Sequence, residues 1–137
     1  MGIYSAIFDL MPVIYPKFYT VHNAFKNELV FLDDGEPKVP KVDTADKTQC
    51  EAFINHYHLF DKVGKRNYKK VVEIGMAIAN NLRDSLLRAF PNKFFVVYLE
   101  VNVNDSVMLR FHQIWEDEPP YFDTTQAYDD VEIFEIR

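Results

Sequence analysis

Apolar positions along this chain fall into blocks that switch between a helical and a strand period. In the longest block, Arg66 to Phe90, Tyr68, Val71, Val72, Gly75, Ile78, Ala79, Leu82 and Leu86 recur every 3.6 residues. Lys69, Lys70, Arg83 and Arg88 fall on other faces and Pro91 closes the block, so the pattern predicts one long amphipathic helix. At about 1.5 Å per residue it runs roughly 35 Å, the width of a small domain. Gly75 lies on the apolar stripe, which predicts a close approach by a neighbouring element.

From Lys93 to Val103 the period changes to that of a strand, and after Asn104-Asp105 a second alternating run extends from Ser106 to Trp115. This predicts a β-hairpin with Val97, Leu99, Val101 and Val103 facing inward over Val107, Leu109 and Phe111. Arg110, His112 and Gln113 are placed near solvent or an edge. Val131 to Ile136, after Pro119-Pro120, is a last short strand with Glu132 and Glu135 facing water. Upstream, Tyr4, Ile7, Phe8 and Met11 have helical spacing before Pro12. Phe25 to Leu32 reads as a strand that ends at Asp33-Asp34-Gly35-Glu36-Pro37, and residues 33–43 form an irregular connection. A helix is expected after Thr44 as N-cap, with Phe53, Tyr57 and Phe60 on one face and Gly64 as its stop. The expected fold is α+β: an antiparallel sheet of about three to five strands, with a long amphipathic helix and one or two shorter helices packed on one face. A length of 137 residues suits a single domain, 1–137, around one core.

Composition removes several classes of function. No run approaches the roughly 20 apolar residues that span a bilayer. The start has neither a basic signal-peptide region nor the Ser or Thr that myristoylation requires where Ala6 stands, so a cytoplasmic location is expected. The single cysteine, Cys50, cannot form an intramolecular disulfide and has no neighbouring base. The four glycines are scattered, so no phosphate-cradling loop exists, and there is no Gly-x-Ser-x-Gly elbow. His56-Tyr57-His58 has a spacing that suits a strand better than a helix. With the segment read as helix, the two imidazoles point apart and no metal or other cofactor is expected. The acidic runs lack the alternating ligands of a calcium loop. The chain reads as a non-enzyme.

Charge is where the sequence is unusual. Net charge is −6, but residues 62–93 carry a net +6 and residues 111–137 a net −7. The acidic end also contains Trp115, Tyr121, Phe122, Tyr128 and Phe134. Aromatic rings supply contact area and a one-signed field attracts a partner of opposite sign, so this segment reads as a recognition surface for something basic. Its bland counterpart is a solvated strand edge with rings filling the core. The basic cluster Lys62, Lys65, Arg66, Lys69 and Lys70 opens the long helix, where positive charge is mildly unfavourable. Pairing with the acidic end or with a partner explains it better than direct nucleic-acid binding, given the acidic whole.

Over Leu109 to Asp123, LRFHQIWEDEPPYFD, the chain resembles small bacterial immunity proteins of polymorphic-toxin and contact-dependent growth inhibition systems. The resemblance implies a compact cytoplasmic α+β protein, a monomer or weak dimer, that binds and neutralises a cognate toxin domain, often a basic nuclease. The candidate partner-binding residues are Trp115, Tyr121 and Tyr128 as anchors, with Glu116, Asp117, Glu118, Asp123, Asp129 and Asp130 steering and pairing. A small enzyme or ligand-binding domain with a pocket between helix and sheet is the alternative, and burial of a histidine beside a carboxylate is its mark. A third reading is an oligomer subunit that joins basic helix to acidic segment.

Overall fold

The computed structural model describes residues 3–137, with side chains from residue 9 onward. Met1 and Gly2, on which the leader and acylation readings bear, lie outside the described residues, as do the side chains of Tyr4, Ile7 and Phe8. Nine elements follow in order: α1 (Ile3–Ile14), β1 (Lys17–His22), β2 (Glu28–Asp33), α2 (Lys47–Ile54), β3 (His56–Phe60), α3 (Tyr68–Ala89), β4 (Phe95–Asn102), β5 (Val107–Gln113) and β6 (Val131–Ile136). Among the described residues no helix is long and apolar enough to cross a membrane.

Every strand pairing is antiparallel, in a hairpin β1-β2 and a four-stranded sheet ordered β3-β5-β4-β6. The α+β class and the long helix are as the periodicity predicts. The β4–β5 register pairs Val97 with Phe111, Leu99 with Leu109 and Val101 with Val107, and these six form the buried face under α3. Val71, Ala79, Leu82 and Leu86 cover them from α3. At Gly75 the helix lies close on the sheet: a Cβ there would lie 3.0 Å from both methyls of Leu99. α1 packs on α3 through Asn81, whose amide donates to the carbonyls of Val13 and Ile14.

Four expectations are corrected. α1 runs through Pro12 to Ile14 instead of stopping before the proline. Strand β1 was not expected, and the predicted strand at Phe25 begins only at Glu28, because Asn23 accepts the amides of Phe25 and Asn27 to make a turn. The helix predicted from Thr44 to Gly64 is capped by Asp46, whose carboxylate accepts the Gln49 amide, and it ends at Ile54. His56 to Phe60 then form an edge strand on β5. The i, i+4, i+7 spacing of Phe53, Tyr57 and Phe60 was coincidental: Phe53 is 71% exposed, and Tyr57 points to the helix layer, its hydroxyl on the carbonyl of Asp9. Lastly, Arg110, His112 and Gln113 are buried, because β5 is an inner strand covered on both faces.

A set of buried polar side chains joins the two sheets. The outer edge of β2 presents Glu28 O, Val30 N, Val30 O and Leu32 N, and no strand pairs with it. Gln113 Nε2 donates to Glu28 O, Glu51 accepts Val30 N, and Asn55 takes both Val30 O and Leu32 N, all at 2.8–2.9 Å. Glu51 also accepts the backbone and side-chain N–H groups of Gln113 and the Trp115 indole. A buried backbone group without a partner costs about 1–3 kcal/mol, so these three side chains stand in for a missing strand.

Gly75→Ala tests the helix–sheet contact. Alanine improves helix propensity by about 1 kcal/mol, but Leu99 is fully buried and cannot yield, and overpacking costs about 1–3 kcal/mol. Urea unfolding is expected to show a net loss of roughly 1 kcal/mol; an unchanged or raised midpoint would show that Leu99 moves aside.

Candidate functional site

The loop between β5 and β6, residues 114–130, holds all nine candidate partner-binding residues and lies over the sheet face opposite α3. On that face Tyr98 pairs with Arg110, Val96 with His112 and Glu100 with Met108. Arg110 is held by Glu100 at 2.9 Å and donates to the carbonyl of Ala52, while its guanidinium carbon sits 4.8 Å from the Tyr121 ring centroid. Phe122 packs edge-on against Tyr98, and Tyr128 against Phe122. Fixing a planar cation between a carboxylate and an aromatic face orients the loop and neutralises the buried charge.

His112 is 1% exposed and locks the same contact. Its Nδ1 lies 2.7 Å from the carbonyl of Gln113, which can only accept, so Nδ1 carries the proton. Nε2 is therefore an acceptor and takes the Tyr121 amide and the Tyr98 hydroxyl, each at 3.1 Å. Burial lowers the pKa of His112 below its ordinary value, against the opposing effect of the Gln113 carbonyl. Burial also pushes the Tyr98 phenol up to about 12, so it stays a donor. The ring partners of His112 are two tyrosines and a carbonyl, not a carboxylate.

The acidic residues divide into those used internally and those left outward. Glu118 caps α2, accepting the Thr48 amide at 2.7 Å, the Thr48 hydroxyl at 2.8 Å and the Lys47 amide at 3.1 Å. A carboxylate at a helix N-terminus satisfies orphan amides and complements the dipole. Burial acts to raise the Glu118 pKa, but the bonds from Thr48 and Lys47 reverse this and lower it. Asp117 pairs with Lys47 at 3.0 Å, and that bond holds its pKa below the usual carboxylate range. Trp115 turns inward to Glu51, with Lys47 Nζ 5.0 Å from its ring centroid. Two of the six acids, Asp117 and Glu118, and two of the three rings, Trp115 on Glu51 and Tyr121 over Arg110, are thus committed within the chain.

Glu116, Asp123, Asp129 and Asp130 are exposed and form no ion pair among the described residues. Asp123 is braced by the amide and hydroxyl of Thr125, which lower its pKa, and its own amide donates to the Tyr128 hydroxyl. Tyr128 remains partly exposed and Tyr121 half-buried. Two hollows flank the Tyr121–Phe122 pair along the sequence. One, of about 670 Å³, is lined by Phe25, Asp43, Asp46, Trp115, Glu116, Asp117 and Glu118, with Lys47 as its one cation. The other, of about 540 Å³, is lined by Thr124, Tyr128, Asp130 and Glu132 among others.

Sequence reasoning missed Asp43, Asp46 and Phe25, which is 86% exposed at the hairpin tip. The Asn23-Ala24-Phe25-Lys26-Asn27 turn signal was available for the last of these. The basic cluster Lys62, Lys65, Arg66, Lys69 and Lys70 is exposed and forms no ion pair with the acidic end among the described residues. Next to the cluster, the Tyr68 hydroxyl bonds to Glu132 of β6. Compared with known protein-family models, with curated proteins and with solved structures, the chain matches none of them.

Acid is expected to release this loop. His112 has a lowered folded pKa, so its contribution is fully present above the ordinary value of 6.5 and is lost as pH falls towards the folded value. Glu118, also lowered, adds a second loss below its ordinary 4.5. Glu51, whose folded pKa burial raises, acts in the opposite sense, so the readout is the difference: unfolding free energy of the native chain relative to His112→Gln should fall between about pH 7 and about pH 5. A difference that is flat over this range contradicts the assignment.

Proposed function

We propose that this chain is an immunity protein that binds a basic toxin domain, a nuclease by preference, through its 114–130 loop. The observation that carries the reading is the division of the acidic residues. The chain has unpaired lysines and arginines of its own, yet Glu116, Asp123, Asp129 and Asp130 stay exposed beside Tyr128. The loop bearing them is pinned to the sheet by Arg110 and His112, so little conformational freedom is lost when a partner docks. A preordered, one-signed surface accelerates capture of an oppositely charged partner, and a nuclease that grips phosphate presents such a surface. Glu118 and Trp115 act in this reading as internal supports of the loop. The energetic anchors are Tyr128 and the exposed carboxylates, joined by Phe25 at the rim of the larger hollow.

The test is co-expression with the toxic domain of a secreted multidomain protein encoded immediately upstream. The native chain is expected to restore growth. Replacing Glu116, Asp123, Asp129 and Asp130 by their amides should slow association with the purified toxin domain by about tenfold or more at low salt, with a smaller effect at high salt. Protection and association unaffected by all four replacements would overturn the reading.

A further inference from the structure

The strand assignment of β3 changes what His56 and His58 can do. On a helix, residues two apart diverge; on a strand they share a face. The register places His56 opposite Arg110 and His58 opposite Met108, and the two imidazole centroids lie 6.0 Å apart. β3 is an edge strand, His58 is exposed and His56 half-exposed. The highly exposed Phe53 ring, 6.5 Å from His56, borders the pair.

We propose that His56 and His58 form a two-imidazole site for a borderline divalent transition-metal ion of the Zn²⁺, Ni²⁺ or Cu²⁺ class. The first observation is the shared face. The second is the tautomer of His56: Nδ1 lies 2.7 Å from the carbonyl of Phe53, so it must donate, and Nε2 keeps its lone pair for a ligand. A ring N–H fixed by a backbone carbonyl is the arrangement that orients metal-ligating histidines and raises their basicity. Two imidazoles sharing a tetrahedral Zn²⁺ at 2.0–2.1 Å place their centroids roughly 5 Å apart, so about 1 Å of closure is needed. Rotation of the exposed His58 side chain supplies it.

The nearby Arg110 charge does not oppose the ion strongly, because its guanidinium is paired with Glu100 and covered by Tyr121. Among the described residues no third His, Cys, Asp or Glu joins the two, so a tetrahedral ion keeps two positions open to water or to a partner's side chain. The proposal does not rest on the toxin-binding reading, although the pair shares the sheet face on which the loop lies.

Titration of the native chain with Zn²⁺ alone, and separately with Ni²⁺ alone, tests the site by calorimetry and by NMR of the histidine ring protons. The expected result is saturable one-to-one binding that shifts both the His56 and His58 rings. His56→Ala and His58→Ala should each weaken it by about tenfold or more, since each removes half of the chelate, while His22→Ala leaves it unchanged. His58→Gln, at an exposed position, separates ligand loss from any folding defect. Absence of saturable binding, binding that survives either single replacement, or binding that follows His22 would overturn the proposal.

Discussion

A single buried carboxylate holds the two sheets of this protein in register. Glu51 is 0% exposed and accepts four N–H bonds, from the Val30 amide, the Gln113 amide, the Gln113 side chain and the Trp115 indole. Burial raises its pKa above the usual carboxylate range, and the four donors oppose that rise. Among the described residues it forms no ion pair: its partners are neutral N–H groups, which fill its acceptor positions. Apolar contacts alone would let the hairpin slide over the four-stranded sheet. The fixed directions of these bonds, with those of Asn55 and Gln113, specify one docking.

The consequences run outward from this point to the acidic loop. Gln113 ends β5, and Trp115 is tied to the same carboxylate two residues later, so the loop leaves the sheet in a set direction. Glu118 then caps α2, the helix that carries Glu51, closing a circuit in which helix and loop each hold the other. Tyr121 over Arg110 and the Tyr121 amide on His112 fix the next stretch. Beyond these anchors the carboxylates point to water. Internal bonding and outward charge thus alternate along one segment, and both rest on the rigidity of β4 and β5 beneath.

How much of this was legible in the sequence follows from which forces are local. The 3.6-residue stripe of α3, the β4–β5 hairpin and the close contact at Gly75 depend on periodicity and steric size, and each is where the pattern places it, except that β4 ends at Asn102 and leaves Val103 in the turn, outside the inward face. β3 was misread because Phe53, Tyr57 and Phe60 mimic a helical stripe, while the signal that ends α2 lies in the side chain of Asn55, which bonds to residues more than 20 positions away. Arg110, His112 and Gln113 look like solvent-facing polar residues until β5 is known to be an inner strand. The charged segment was visible at once, but not its division, since only the folded chain brings Lys47 and Thr48 to Asp117 and Glu118.

The role of Glu51 as the joint is tested most directly by hydrogen exchange in Glu51→Gln, which replaces one acceptor oxygen with an NH₂ group facing N–H donors. The donors on the replaced oxygen, either the Val30 amide on Oε2 or the Gln113 amide and the Trp115 indole on Oε1, should lose protection. A lost bond of about 1–3 kcal/mol corresponds to roughly ten- to hundredfold faster exchange. Amides of α3 and β4, such as Leu82 and Leu99, should keep their protection. Undiminished protection at Val30 and Gln113, or an equal loss throughout the chain, would contradict the account.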